Sequence, residues 1–498
     1  MSHWIMLPLL LPLVGGMVNL LLVGRCPGRQ RLVSLLTTAA LLPVAILLMV
    51  KAASGEMLVY QLGDWPAPFG ISLFLDRLSA MLLVLTASLA LPALIAATAG
   101  DDRRGENFHV LFPLQLFGIN GAFLTGDLFN LFVFFEVMLI ASYGLALHGG
   151  GRERVRAGLH YVVLNLIGSS LFLVAIGTLY GIAGTLNMAD LAVYAASVPA
   201  EQRTLLRVAA LLLLAVFALK AGVLPLHLWL PALYSAGTAP VAALFAIMTK
   251  VGVYAILRTF TLILPAAGPG ADVSVVLPLA ALLTLAAGAL GALAARRLTV
   301  LVAYLVVVSV GTLLAGVAMF TVPGLAAALF YLPHTTLVTA GLFLLSDLIG
   351  DSRGGAGDGL QISGPSPGNL LGGLFFLAAA AAAGMPPLAG FFGKLLLLQA
   401  APQGQAAMLW GVVLAGSLAV LVALSRAGSI LFWRTADEPF GKAGLSLRQV
   451  APTVMLLAMT VAMTLSAAPV ARYAEATASQ LLQSRETVRA VLGREAGR

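Results

Sequence analysis

The sequence predicts an all-α membrane protein with about fourteen transmembrane helices, and its composition and apolar runs both support this fold class. Hydrophobic residues make up 60% of the 498 residues and charged residues only 10%, whereas soluble domains carry about 25% charged residues. The apolar residues form runs of roughly the 20 residues that a membrane-spanning helix requires. These features exclude a soluble enzyme, a disordered chain and a nucleic-acid-binding protein.

The apolar runs, separated by charges, glycine or proline, predict the helices in chain order. We number them 1 to 14, with the ranges 4–23, 32–50, 72–98, 108–124, 127–147, 158–182, 205–228, 238–260, 274–294, 298–320, 325–348, 369–399, 407–432 and 451–471. They divide the chain into helices 1–3 (residues 1–107), two five-helix units (108–260 and 274–432), and helix 14 with a short tail (451–498).

Basic residues concentrate in alternate loops and so predict the orientation. The basic residues of these loops are Arg25, Arg29, Arg31, Arg103, Arg104, Arg152, Arg154, Arg156, Arg296, Arg297, Arg353, Arg434, Lys442 and Arg448. The opposite loops hold few basic residues, chiefly Arg203. Since cytoplasmic loops carry the excess of Lys and Arg, we expect both termini on the non-cytoplasmic side.

Two predicted helices contain helix-breaking residues. Helix 7 contains Gly222 and Pro225, and helix 12 contains Gly384, Pro386 and Pro387, so the pattern Gly-x-x-Pro-Leu occurs in both. Proline opens the helical hydrogen-bond ladder, and free carbonyls at membrane depth are tolerated only inside protein or beside water. Because the breaks are five helices apart, we predict two inverted five-helix repeats, helices 4–8 and 9–13. The alternative is that the prolines only kink two ordinary helices.

Ionisable residues inside the predicted helices are the candidate functional residues. A charge at the bilayer centre costs at least about 2.5–3.5 kcal/mol, and such residues usually mark ion or proton pathways. The candidates are Glu136, Lys220, Lys250, His334 and Lys394.

Some ionisable residues have simpler interpretations. Lys394 is close enough to a predicted helix end to extend to the headgroups, and a single histidine such as His334 is more often a core residue. Interfacial structural roles are expected for the charged residues near predicted helix ends, namely Asp76, Arg77, Asp127, Arg258 and Asp347.

A buried glutamate and lysine together can act as a proton switch. Burial disfavours the charged form of each, and a nearby opposite charge favours it. A pair whose separation changes therefore alternately binds and releases a proton. Residues on separate helices are too far apart for direct transfer, so internal waters must connect them.

The sequence gives no indication of a cofactor or a bound metal. Cys26 is the single cysteine, which excludes an internal disulfide and an iron–sulfur cluster held by four thiolates. The tail from Arg472 contains Leu481, Leu482 and Val488 among charged residues. This spacing predicts an amphipathic helix on the membrane surface or against a partner.

Three segments resemble the signature of one membrane-protein family. They run from Leu226 to Pro231, from Ala239 to Phe245 and from Thr249 to Arg258. The family joins the antiporter-like subunits of respiratory complex I to the D-type subunit of Mrp-type (Pha, Sha) multisubunit monovalent cation/proton antiporters. Matching residues elsewhere are Asp76 to Ser79, Glu136, Lys220, Tyr331 to His334, Gly393 and Lys394.

The resemblance implies the fourteen-helix fold with inverted repeats and proton-path roles for the five candidate residues. It also implies partner subunits, transport of Na⁺ or K⁺ and H⁺, contact with membrane lipid, and a place in the inner membrane of a bacterial cell. Two departures from complex I members resemble the D-type antiporter subunit instead. Residues 232–237 lack the acidic and histidine residues typical there, and Thr339 stands where many members have lysine.

Three functions stay open from the sequence. The first is a proton-translocating subunit of a Na⁺(K⁺)/H⁺ antiporter, which is not an enzyme. The second is a proton-pumping membrane subunit of a complex I-like dehydrogenase or a membrane-bound hydrogenase. The third is a stand-alone solute transporter.

Overall fold

Helices form most of the structure. The computed structural model describes residues 2–24, 26–265, 271–362, 365–404, 406–434 and 446–493. The first helices are α1 (Leu7–Leu22), α2 (Pro27–Ala53), α3 (Arg77–Ala97), α4 (Phe108–Leu124), α5 (Leu128–Leu147), α6 (Arg152–Ala183), α7 (Met188–Ala196), α8 (Arg203–Ala221), α9 (Trp229–Ala236), α10 (Ala239–Phe245) and α11 (Met248–Arg258). The later helices are α12 (Ala271–Ala294), α13 (Leu298–Val317), α14 (Val322–Ser352), α15 (Asn369–Ala383), α16 (Ala389–Gln399), α17 (Ala406–Gly428), α18 (Leu447–Leu465), α19 (Ala467–Leu482) and α20 (Ser484–Leu492).

The all-α membrane fold is confirmed. Within the described residues, twelve helices are long and apolar enough to cross a membrane, and three more apolar helices are shorter. The shorter ones are α4, α15 and α16. Because α4 matches predicted helix 4, and α15 and α16 together match predicted helix 12, every predicted helix has a helical counterpart. Fourteen membrane crossings remain a prediction.

The start of predicted helix 3 is wrong, since residues 72–75 form a strand. Strand β2 (Ser72–Leu75) pairs antiparallel with β1 (Leu58–Gln61), and Leu58 lies opposite Leu75. The helix begins only at Arg77 because the Asp76 carboxylate caps it, accepting the Ser79 backbone N–H at 2.8 Å. A carboxylate in this position satisfies one of the amides that a helix start leaves unpaired.

The predicted breaks in helices 7 and 12 are present and have the same backbone geometry. Gly222 (φ 77°, ψ 43°) follows the last residue of α8 and Gly384 (φ 80°, ψ 46°) follows the last residue of α15, both in the left-handed region that glycine adopts freely. After each glycine, the next amide donates to the carbonyl five residues back at 2.9 Å. These bonds join Val223 to Ala218 and Met385 to Ala380.

Two further backbone features occur once in each five-helix unit. Leu128 and Met188 donate to the carbonyls of Leu186 and Gly126 at 2.9 and 2.8 Å. Leu298 and Leu360 donate in the same way to Asp358 and Arg296, also at 2.9 and 2.8 Å. In addition, α11 and α17 each continue into one turn of π-helix, Thr259–Ile263 and Ser429–Trp433.

The two pairs of backbone hydrogen bonds lie on opposite faces of the molecule. The first pair lies beside the hairpin of β1 and β2, because the Asn187 amide donates to the Ser72 hydroxyl at 3.1 Å; we call this side the hairpin face. The second pair lies at the opposite ends of the helices, where the Arg297 guanidinium is 4.0 Å from the Glu153 carboxylate. Matching features on opposite faces support the predicted inverted repeats.

The basic loops gather on the face opposite the hairpin, which we call the arginine face. Arg31 forms two bonds with Asp102 at 2.5 and 2.6 Å, Arg104 pairs with Asp101 at 2.9 Å, and Arg297 pairs with Asp358 at 3.0 Å. Arg25 and Lys442, which we also assigned to this side, lie outside the described residues. For the loops joined by these contacts, the predicted alternation of sides agrees with the structure.

The predicted placement of the C-terminal tail is wrong. The tail packs on this chain itself: Leu481 is 5% exposed and Val488 is 3% exposed. Helix α19 extends to Leu482 on the hairpin face, where the Gln480 side chain accepts the Arg77 backbone N–H at 3.1 Å. The amphipathic pattern is present, but its apolar side faces the hairpin and neighbouring helices.

A buried ion pair fastens the hairpin to α11. Arg258 donates to both carboxylate oxygens of Asp76 at 2.7 and 3.0 Å, and each residue is 1% exposed. The guanidinium also lies 4.6 Å from the centre of the Phe74 ring. Asp76 and Arg258 therefore have the structural role that their positions near helix ends predicted.

We expect Asp76→Asn to destabilise the fold strongly. Removing one partner of a buried pair leaves the other charge uncompensated, which costs about 3–5 kcal/mol. Thermal unfolding of the detergent-purified protein measures the loss.

The matched control is Asp272→Asn, which breaks the exposed pair with Arg207 on the same face. That exposed pair is expected to contribute little. An Asp76→Asn protein that unfolds at the wild-type temperature would contradict the anchoring role.

Candidate functional site

A serine hydroxyl connects Glu136 to Lys220. Ser169 on α6 donates a hydrogen bond to a carboxylate oxygen of Glu136 on α5. The Lys220 ammonium on α8 donates to the Ser169 hydroxyl at 3.4 Å and to Asn165 Oδ1 at 3.2 Å. The predicted Glu–Lys pair is therefore bridged: in the part of the chain that the structure describes, no direct ion pair joins the two groups.

The break after Ala221 determines the position of Lys220. Lys220 is in the last turn of α8 and only 5% exposed. The C-terminus of a helix carries partial negative charge, which favours a cation there. Trp229 covers the same end, because its indole N–H donates to the Leu219 carbonyl at 3.2 Å. The first group of the site is thus a lysine at a helix end, two hydrogen-bond acceptors and a bridged carboxylate.

Lys250 lies on α11, next to the end of α8. It is fully buried, and its ammonium donates to the Ser309 hydroxyl on α13 at 3.2 Å. Gly252 lets α11 approach α8, since a Cβ there would lie 2.5 Å from the Ala221 nitrogen. Ala246 and Ile247, between α10 and α11, keep right-handed helical dihedrals, but the regular α-helical hydrogen bonding is interrupted there. The Tyr234 hydroxyl donates to the Phe245 carbonyl at 2.5 Å. Lys250 therefore follows an interruption of its helix.

His334 and Lys394 both bind carbonyls at the end of α15. The Lys394 ammonium donates to the Ala383 carbonyl at 2.7 Å, and His334 Nε2 lies 3.1 Å from the Ala381 carbonyl. Lys394 is 8% exposed, so it does not extend to the headgroups. The Ala381 carbonyl also accepts the Gly384 backbone N–H at 3.2 Å. Lys394 therefore binds a carbonyl at the end of the broken helix, and His334 adds a second contact to a neighbouring one.

The five predicted residues thus form three groups along the buried helices. Glu136 and Lys220 form the first, Lys250 the second, and His334 with Lys394 the third. Within the described ranges, no direct hydrogen bond connects one group with the next. The arrangement therefore requires water or side-chain motion to pass a proton between groups.

The sequence interpretation missed the hydroxyl and amide partners. Asn165 and Ser169 are four residues apart in an apolar helix and so share one face, which was an available signal. Ser309 has no comparable signal, because buried serines in helices commonly bond their own backbone. It does so here too, donating to the Val306 carbonyl at 2.7 Å.

Residues 125–421 match the family model described as "NADH:quinone oxidoreductase/Mrp antiporter, TM". The chain belongs to this family. Two relatives, both named as antiporter subunits of the D type, match over nearly the whole length of both chains. The probable K⁺/H⁺ antiporter subunit of Rhizobium meliloti strain 1021 is 41% identical over 97% of this chain and 96% of its own. The Na⁺/H⁺ antiporter subunit of Alkalihalophilus pseudofirmus is 37% identical over 99% of this chain and 100% of its own.

Solved structures of family members have the same fold. A chain of the Mrp complex from Dietzia sp. DQ12-45-1b superposes with a TM-score of 0.88 at 29% identity, covering 99% of this chain and 100% of that one. A chain of respiratory complex I from Thermus thermophilus gives a TM-score of 0.79 at 26% identity, covering 96% and 99%. Both antiporter and respiratory members of the family therefore share this architecture.

We expect Gly390→Ala to disturb the third group. A Cβ at this position would lie 2.5 Å from both the Ala381 carbonyl oxygen and His334 Nε2. Such overpacking typically costs about 1–3 kcal/mol, which thermal unfolding of the purified protein would detect. Gly373→Ala in α15 is the control, because open space surrounds its Cβ position. Equal stability of the two variants would contradict this tight contact.

Proposed function

We propose that this chain is the proton-translocating subunit of a multisubunit antiporter that exchanges Na⁺ or K⁺ for H⁺. Family membership supports this function, and so do the names of the two relatives. Since one relative is named for K⁺ and the other for Na⁺, the proposal covers both cations.

The bridged Glu136–Ser169–Lys220 group is the observation that carries the proposal. The hydroxyl accepts from the lysine and donates to the carboxylate, so a small movement of either side chain exchanges partners. Loss of the carboxylate contact favours proton release from the buried lysine, and its return favours proton uptake. Lys250, His334 and Lys394 continue the pathway, with internal water between the groups.

Two alternatives from the sequence have weaker support. A proton-pumping subunit of a complex I-like enzyme would share the fold, but the identity to the complex I chain is 26%, against 41% and 37% for the antiporter subunits. A stand-alone transporter is disfavoured because these relatives are named as subunits.

Partner subunits are part of the proposal. Glu136 keeps part of its surface exposed on a face that also exposes Val133 (38%) and Ile140 (64%). A carboxylate facing lipid is costly, so a neighbouring subunit that covers this face would stabilise it. Na⁺ and K⁺ are hard cations that favour several oxygen ligands, whereas Glu136 is the one carboxylate among the five candidate residues. We therefore also propose that other subunits provide the cation path.

The proposed location is the inner membrane of a bacterial cell, where lipid surrounds the chain. Under the positive-inside rule the arginine face is cytoplasmic. The hairpin face, with both termini, is then on the non-cytoplasmic side.

We expect Glu136→Gln to reduce antiport by about tenfold or more, because a positioned proton-transfer group typically contributes 10²–10⁴-fold. Glutamine keeps the side-chain size and removes the charge. The measurement is cation-dependent collapse of ΔpH in inverted vesicles that contain the complete complex.

Glu201→Gln is the control, since Glu201 is an exposed carboxylate near the start of α8. Co-purification of the other subunits confirms assembly. Wild-type transport by an assembled Glu136→Gln complex would refute the switch role.

A further inference from the structure

A cavity of about 630 Å³ opens on the arginine face. Its walls come from the start of α6, the connection between α9 and α10, and the end of α14. None of the five predicted proton-path residues lines it. The cavity is therefore separate from the three groups described above.

Two exposed carboxylates one helical turn apart line the cavity. Asp347 and Asp351 on α14 form no hydrogen bond or ion pair with any described residue, and both are exposed. The other aspartates are engaged: Asp101 pairs with Arg104 at 2.9 Å, and Asp358 accepts from Thr299 Oγ1 at 2.6 Å. Asp347 and Asp351 are thus the aspartates available to a ligand from solution.

An unpartnered hydroxyl in the wall is independent evidence that the cavity receives a polar ligand. Thr238 lines the cavity, is 4% exposed, and its hydroxyl oxygen has no hydrogen-bond partner within the described chain. Buried polar groups almost always have a partner, either protein or water. A water or ion held in the cavity would supply it.

The inner wall of the cavity leads toward Lys250. Tyr234 lines the cavity and is 1% exposed, and its hydroxyl binds the Phe245 carbonyl where α10 ends. Lys250 lies five residues beyond Phe245, about 8 Å along a helix at 1.5 Å per residue. Tyr234 therefore connects the cavity to the interrupted segment just before the second group.

We propose that this cavity is a proton-exit vestibule in which Asp347 receives a proton that leaves the Lys250 group through water beside Tyr234 and releases it to solvent at the arginine face. This inference rests on the proposed proton-translocating function. The proton arrives on a hydronium ion or water, resides on one carboxylate oxygen, and leaves to the next water.

Charged groups on several elements act on Asp347. Asp351 shares its helix, Asp101 and Arg104 come from the segment between α3 and α4, Arg154 comes from α6, and Asp358 follows α14. The aspartates favour proton uptake, and the arginines oppose it while also repelling a metal cation. Burial raises the pKa of Asp101, so the Asp101 carboxyl, which also lines the vestibule, holds a proton more readily than an ordinary aspartate.

The decisive variant is Asp347→Asn, assayed for cation-dependent ΔpH collapse across a pH series in inverted vesicles with the complete complex. We expect about a tenfold loss at alkaline pH, where the Asp347 carboxylate is ionised and can accept a proton from the pathway, a smaller loss at acidic pH, where the carboxyl is already protonated and asparagine resembles it, and an unchanged KM for the cation. Asp347→Glu, which keeps a carboxylate, is expected to restore the alkaline rate. Asp190→Asn on the hairpin face is the matched control.

An assembled Asp347→Asn complex with the wild-type pH profile would overturn the proposal. A raised cation KM with an unshifted pH profile would also overturn it, in favour of a metal-cation site. If Asp347→Asn does not assemble, Thr238→Val decides. A loss on the same alkaline limb supports the vestibule, and a wild-type profile overturns it.

Parallel measurement of Glu136→Gln distinguishes failure of the vestibule from failure of the proposed antiport function. Wild-type transport by Glu136→Gln would show that the proposed function has failed. Inactive Glu136→Gln together with wild-type Asp347→Asn would show that only the vestibule assignment has failed.

Discussion

Backbone carbonyls at a helix break inside a membrane must find hydrogen-bond donors, and at three interruptions in this protein a side chain provides one. Lys394 and His334 form hydrogen bonds with the carbonyls of Ala383 and Ala381. The Tyr234 hydroxyl donates to the Phe245 carbonyl, and the Trp229 indole donates to the Leu219 carbonyl. Each of these interruptions brings a polar side chain into the apolar core, and the one after α15 binds two of the five candidate residues, His334 and Lys394.

The two five-helix units share backbone geometry but differ in chemistry. In the first unit the lysine beside the break bonds to two side chains, Asn165 and Ser169, as well as to the Asn165 carbonyl at 3.5 Å, and through Ser169 it reaches a carboxylate. In the second unit Lys394 bonds to a backbone carbonyl. Side-chain acceptors can change rotamer, whereas a carbonyl at a helix end is fixed by the fold. The first unit is therefore better suited to switching and the second to holding a proton in place.

The sequence predicted features that follow from composition and from single strong residues. Apolar runs located the helices, and Gly222 and Gly384 located the breaks, because few residues tolerate those conformations. The hydrogen-bond partners of two neighbouring serines could not be predicted in this way. Ser169 bridges the site, whereas Ser170 binds its own helix at Leu166. Only the helix orientation separates these two serines.

Features that depend on distant segments could not be predicted. The apolar residues 72–75 suit a helix as well as a strand, and only pairing with residues 58–61 decides. The tail pattern reveals an apolar side but not the surface that covers it. Asp347 looked interfacial because it is near a helix end, yet it lies in a cavity built from several separate parts of the chain.

The central claim is that buried lysines pass protons rather than provide fixed charge. The chain has five lysines, and three of them lie buried in the helices. Arginine keeps the positive charge but does not release its proton, because its pKa stays above about 12. The most direct test is antiport by an assembled complex carrying Lys220→Arg, with Lys51→Arg at the end of α2 as the control. The account predicts a loss of about tenfold or more for Lys220→Arg and normal antiport for the control. Near-normal antiport by the assembled Lys220→Arg complex would contradict it and leave Lys220 as a fixed charge.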